Sequence, residues 1–122
     1  MWDLIGGFDA LSRWHPAVAK SEETHEAGKT LRRLSLHGGG VIVEALERHE
    51  GRERRYQYTI VSGPLPVTGY RSEPSVREDG PQRCTVRWTS TFAPTGPEAA
   101  AVDAIRGIYQ AGFDNLARRF GA

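Results

Sequence analysis

The C-terminal stretch of the chain sets the strongest constraint on its fold. Over residues 98–120, Val102, Ile105, Tyr109, Gly112, Phe113, Leu116 and Phe120 recur at steps of three and four, the period of an amphipathic helix. Pro97 suits a first helical turn, Glu98 complements the positive end of the helix dipole, and Arg118 and Arg119 suit its last turn. Gly121 is placed to end it. A long helix with one apolar face needs a concave surface to lie against, and the residues before it must supply one.

Those residues are divided by glycine and proline into short segments of similar length: 17–26, 29–36, 41–50, 53–62, 68–78 and 82–93. The separators are Gly28, the Gly38–Gly40 run, Gly51-Arg52, Gly63 to Pro66, and Gly80-Pro81. Such punctuation predicts a meander of six antiparallel strands. Period-two alternation supports it: Tyr56, Tyr58 and Ile60 oppose Arg55, Gln57 and Thr59, while Trp88, Ser90 and Phe92 oppose Arg87, Thr89 and Thr91. Ahead of the meander, WDLIGGFDALSRW carries apolar positions at helical spacing that Gly6 and Gly7 interrupt, which predicts two short helical turns. Pro16 then biases His15 toward extended backbone.

Composition narrows the functional classes. A formal charge of +1 provides no field to recruit nucleic acid or an anionic membrane. The cluster Arg52, Arg54 and Arg55 is balanced by Glu50 and Glu53, as expected of a solvated hairpin. No apolar run is long enough for a membrane span, and no signal peptide is visible, so the expected location is cytoplasmic. Cys84 is the one cysteine, which leaves no disulfide framework. The histidines lack ligand spacing and Gly38–Gly40 lacks the lysine of a phosphate loop, so neither a metal nor a cofactor is expected. No strained serine elbow is present either.

Short helical turns, six meander strands and a long C-terminal helix follow the order of the helix-grip fold. WDLIGGFDALSRWHPAV at 2–18, RRLSL and IVEAL within 32–46, YQYTIVSGPLPVTGYRS at 56–72, VRWTSTFAP at 86–94 and AIRGIYQAGFDNL at 104–116 resemble the polyketide cyclase/dehydrase branch of the START/Bet v 1-like (SRPBCC) superfamily. The resemblance implies an α+β domain over 1–122, with a curved antiparallel sheet around the C-terminal helix and a cavity between them. In that superfamily a further strand normally precedes the WDLIGGF-like segment and lies between the strands corresponding to 17–26 and 82–93. Here both would present unpaired edges. Three explanations are open: a truncated start, a rearranged six-strand sheet, or a partner chain, as in a homodimer, completing the edge.

Alternation assigns an inward face to each strand: Arg32, Leu34 and Leu36; Ile42, Glu44 and Leu46; Tyr56, Tyr58 and Ile60; Trp88, Ser90 and Phe92. Arg32 and Glu44 then share the concave face of neighbouring strands. One reading has Arg32 holding an anionic or carbonyl oxygen while Glu44 acts as acid, base or acceptor. The other is an inward salt bridge at the cavity mouth. Trp14, Leu34, Tyr58, Ile60, Tyr70, Trp88, Ser90, Phe92, Tyr109 and Phe113 are the expected ligand-binding wall, suited to a planar, mostly apolar molecule, although plain core packing is the favoured account of Trp88, Phe92 and Phe113, while the Tyr58 and Tyr70 hydroxyls need partners when buried. His15 lies where the helical turns meet the sheet, as a proton shuttle or a structural histidine. His25, His37 and His49 read as exposed. The expected function is binding of a small hydrophobic or aromatic ligand. The alternatives are a cyclase or dehydratase working on a polyketide-like substrate, and an interaction domain built on the sheet edges.

Overall fold

The computed structural model describes residues 1–120. Two helical turns, α1 (Trp2–Ile5) and α2 (Leu11–Trp14), precede six strands: β1 (Val18–Glu26), β2 (Lys29–Leu36), β3 (Val41–Glu50), β4 (Arg55–Ser62), β5 (Val67–Gly80) and β6 (Arg83–Pro94). Helix α3 (Glu98–Phe120) closes the order. The strands form one antiparallel sheet in the sequence β1-β2-β3-β4-β5-β6, a plain meander with no rearrangement. Its unpaired edges are β1 and β6, the two strands expected to be left without a neighbour.

Local chemistry explains the joints. Glu26 pairs with Lys29 across a two-residue turn in which Ala27 and Gly28 have φ of 50° and 79°. That geometry matches the strand twist, and Gly28 adopts it without steric cost. His15 is extended, with φ −95° and ψ 121°, as the following proline requires. Pro97 stands just outside α3 rather than in its first turn: its carbonyl accepts from the Ala101 amide at 3.2 Å, the first bond of the helix. Gly121, expected to terminate that helix, lies outside the described residues.

Helix α3 buries Ala101, Ile105, Gly112 and Leu116, with Ile108, Tyr109 and Phe113 half-covered. Full burial of Ile105 or Leu116 stabilises by about 1.5–3 kcal/mol each. Phe120 departs from the expected stripe, because it is 53% exposed. It borders an open cleft of about 400 Å³ between Met1–Asp3 and the tip of the β5–β6 hairpin. Against the helix the sheet presents Leu34, Ile42, Tyr56, Tyr58, Tyr70, Val76 and Trp88. A bulge in β3 near Val43 and Glu44 buries both Glu44 and Ala45, where strict alternation would expose one of them. Among the described residues no helix is long and apolar enough to cross a membrane.

Candidate functional site

Between the sheet and α3 lies a cavity of about 90 Å³ lined by His15, Leu34, Ile42, Glu44, Tyr58, Ile60, Leu65, Tyr70, Trp88, Ile105 and Ile108, among others. Nearly all of that wall is hydrocarbon or ring. The Ser62–Pro66 turn contributes Leu65 to it. Pockets for drug-sized ligands run to about 300 Å³ and more, whereas apolar cavities of about 150 Å³ take up benzene. At about 90 Å³ the space is smaller than either.

Glu44 is the one carboxylate in this wall. It faces Arg32 directly across β2 and β3. Arg32 Nε donates to Glu44 Oε1 at 2.7 Å, and Nη2 lies 2.7 Å from the same oxygen. Nη1 donates to the Phe8 carbonyl at 2.9 Å and to the Tyr56 hydroxyl at 3.2 Å. The guanidinium carbon sits 4.3 Å from the Phe8 ring centre and 4.6 Å from that of Tyr58. Arg32 is wholly buried and borders no part of the cavity. It holds Glu44 from behind, and no geometry lets it meet a ligand oxygen directly. Both Arg32 contacts fall on Oε1. Burial pushes the Glu44 carboxyl above its ordinary range, and the adjacent Arg32 charge offsets only part of that rise.

Three tyrosines, a serine and a tryptophan form a second polar group on β4, β5, β6 and α3. Trp88 Nε1 donates to Ser72 Oγ at 2.9 Å and to the Tyr58 hydroxyl at 3.1 Å. Ser72 Oγ donates to the Thr89 carbonyl at 2.9 Å and lies 2.9 Å from the Tyr109 hydroxyl. Tyr109 in turn bonds to Tyr70. The Trp88 and Tyr109 rings stack with centres 4.1 Å apart. Burial holds Tyr58, Tyr70 and Tyr109 above the usual phenol range, so all three are neutral. Ser72, 1% exposed, is the residue that strand patterning had to find through Tyr70, Ser72, Pro74 and Val76, which alternate inward along β5.

His15 borders the cavity by its ring, but both nitrogens are engaged. Nε2 is 2.7 Å from the Ile108 carbonyl, and the Ala17 amide donates to Nδ1 at 3.2 Å. That pairing fixes the neutral Nε2–H form, and burial lowers the ring's proton affinity further. Of the remaining expected wall, Phe92, Tyr109 and Phe113 line a separate open groove of about 310 Å³ between β6 and α3. Trp14 packs against Trp88 behind the cavity, with ring centres 5.6 Å apart, and Ser90 is half-buried near Tyr109. His25, His37 and His49 are exposed, although His49 Nε2 also reaches the Gly6 carbonyl at 2.8 Å.

A curved antiparallel sheet gripping one long helix over an enclosed space defines a helix-grip protein. The chain belongs to the family described as polyketide cyclase/dehydrase and lipid transport, whose model matches residues 1–121. Among solved structures it is similar to the protein XoxI from Bacillus cereus, at 37% identity and a TM-score of 0.90, over 98% of this chain and 84% of that one. An uncharacterised protein from Bacillus thuringiensis is similar at 36% identity and a TM-score of 0.90, over 99% and 88% of the two chains. The Zhui aromatase/cyclase from a Streptomyces species shares the fold at 16% identity and a TM-score of 0.63, over 98% and 76%. No curated protein matches the chain.

Proposed function

We propose that the protein binds a small, largely apolar ring compound in the cavity between sheet and helix. The observation that carries this reading is an enclosed space with an almost wholly apolar wall between sheet and helix, in which Glu44, held by Arg32, is the one carboxylate. Such a wall with few polar groups suits a largely apolar ligand. A cyclase or dehydratase activity is the second reading, supported by the raised proton affinity that burial gives Glu44, the direction a general acid needs. Against it, Arg32 and both His15 nitrogens are committed to the fold, and burial holds the neighbouring Tyr58 and Tyr70 hydroxyls neutral. The volume also favours a single ring over an extended chain. The free edges of β1 and β6 support a third role, pairing with another copy of the chain.

Native mass spectrometry of the protein purified from its own cells distinguishes these readings. A monomer carrying a low-mass aromatic or alicyclic adduct is expected. An obligate dimer without adduct would replace the binding reading with the edge-pairing one.

A further inference from the structure

The turn that joins α2 to β1 is closed by a histidine ring as well as by backbone. His15 is buried, and its two nitrogens tie down different elements. Nε2–H donates to the Ile108 carbonyl of α3 at 2.7 Å, while Nδ1 accepts from the Ala17 amide at 3.2 Å. Gly112 leaves room for the ring against α3, because a Cβ there would stand 3.1 Å from His15 Cδ2. Ala17 and Val18 belong to the cavity wall, and Ala17 is itself exposed. At this turn one residue separates the cavity from solvent.

A second proton on the ring has one place to go, Nδ1, where it meets the Ala17 N–H donor to donor. The bond to Ile108 survives, since an imidazolium donates more strongly than a neutral ring. The new charge also has no free partner in the wall. Glu44 from β3 is already paired with Arg32, and Tyr58 of β4 and Tyr70 of β5 are neutral. Trp14 of α2 and Trp88 of β6 present rings to it. On the packed elements Arg13 of α2, Lys20 of β1, Arg87 of β6, and Arg106 and Asp114 of α3 are exposed. His37, whose amide donates to the Ala17 carbonyl at 3.0 Å, has an exposed side chain. We propose that His15 makes the α2–β1 turn an acid-operated gate, in which protonation at Nδ1 releases the Ala17 amide and opens the cavity beside it. Burial lowers the ring's proton affinity, so the closed form is fully present above the ordinary imidazole range and is lost as pH falls below it. Helix α3 stays seated through Ile108, through the Tyr109 hydroxyl on Ser72, and through Asn115 on the Trp14 carbonyl. The inference rests on the cavity-binding reading above and adds its regulation by acid.

Xenon is a suitable probe, because it enters small apolar cavities whatever the natural ligand is. Its exchange with the intact chain, followed by xenon NMR, is expected to be severalfold faster at pH 5 than at pH 7.5. Over the same range the Ala17 amide resonance should move with the midpoint of the His15 ring nitrogens. His15→Gln supplies an N–H for Ile108 but takes up no proton, so its xenon exchange should be fast at both pH values, although His37 still titrates. Equal exchange at the two pH values in the unaltered protein would overturn the gate and leave cavity binding standing, whereas no xenon uptake at either would overturn both. An Ala17 amide that stays in place while His15 titrates would also overturn the gate, whether or not the variant folds. A pH step retained in His15→Gln would assign the opening to another group and so overturn the proposal.

Discussion

Replacing Arg32 with leucine is expected to destabilise the fold by about 3–5 kcal/mol at neutral pH, the range for breaking a buried ion pair from one side. The substitution strands Glu44 without its counter-charge and removes the donors to the Phe8 carbonyl and the Tyr56 hydroxyl. It thus releases the N-terminal turns as well as the sheet. The pH dependence of the loss distinguishes this cause from simple cavity formation. The folded-state proton affinity of Glu44 is already raised by burial and rises further when Arg32 is gone. A carboxyl with a raised folded-state pKa contributes stability below its unfolded pKa and loses it as pH climbs through the folded value. The deficit of Arg32→Leu should therefore shrink between pH 7 and pH 4.5. The double variant with Glu44→Leu should recover much of it, since apolar replacement of a buried pair is often neutral. Urea unfolding at the two pH values reads both effects. A deficit independent of pH would mean that the charge of Glu44 is not what Arg32 stabilises.

Gly112→Ala should cost about 1–3 kcal/mol, even though alanine is the better helix former by about 1 kcal/mol. A Cβ at position 112 would stand 2.9 Å from Trp14, 3.1 Å from His15 and 3.3 Å from Trp88. None of these rings is free to yield. His15 is tied to the Ile108 carbonyl and the Ala17 amide, and Trp88 is bonded to Ser72 and stacked on Tyr109. Gly107 provides the control on the same helix, because nothing lies within 4 Å of its added Cβ. Gly107→Ala should stabilise by about 0.5–1 kcal/mol through propensity alone. Opposite signs at the two positions, measured by thermal unfolding, are the expected outcome. A neutral or stabilising Gly112→Ala would show that α3 does not sit as tightly on the aromatic cluster as these distances require.

The fold was legible because its two periods are local properties. Steps of three and four in α3 and the glycine and proline joints between strands need no tertiary information. The inward placement of Arg32, Glu44, Tyr58 and Trp88 followed from alternation for the same reason. Depth within the inner face did not. Whether Arg32 or Glu44 meets the cavity is decided by Phe8, whose carbonyl comes from a turn 24 residues away. His15 could be read as a proton shuttle because its Ile108 partner lies 93 residues along the chain. Phe92, Tyr109 and Phe113 were expected in one wall with Tyr58, but Tyr109 and Phe113 of α3 and Phe92 of β6 line the gap beside the β6 edge instead. Ser72 was the opposite case: the alternation along β5 carries its inward position, while its role appears only once Trp88, Thr89 and Tyr109 surround it.

The central claim, that the space beside Glu44 is where a ligand resides, is tested most directly by methyl-resolved NMR during titration with 4-methylphenol. Leu34, Ile42, Leu65, Ile105 and Ile108 have methyl groups on the cavity wall, whereas Val61 is 61% exposed and far from enclosure. The account predicts saturable shifts at the five wall residues, with Val61 unmoved. Shifts confined to Val102 in the groove between β6 and α3, or no saturable shift at any wall methyl, would contradict it.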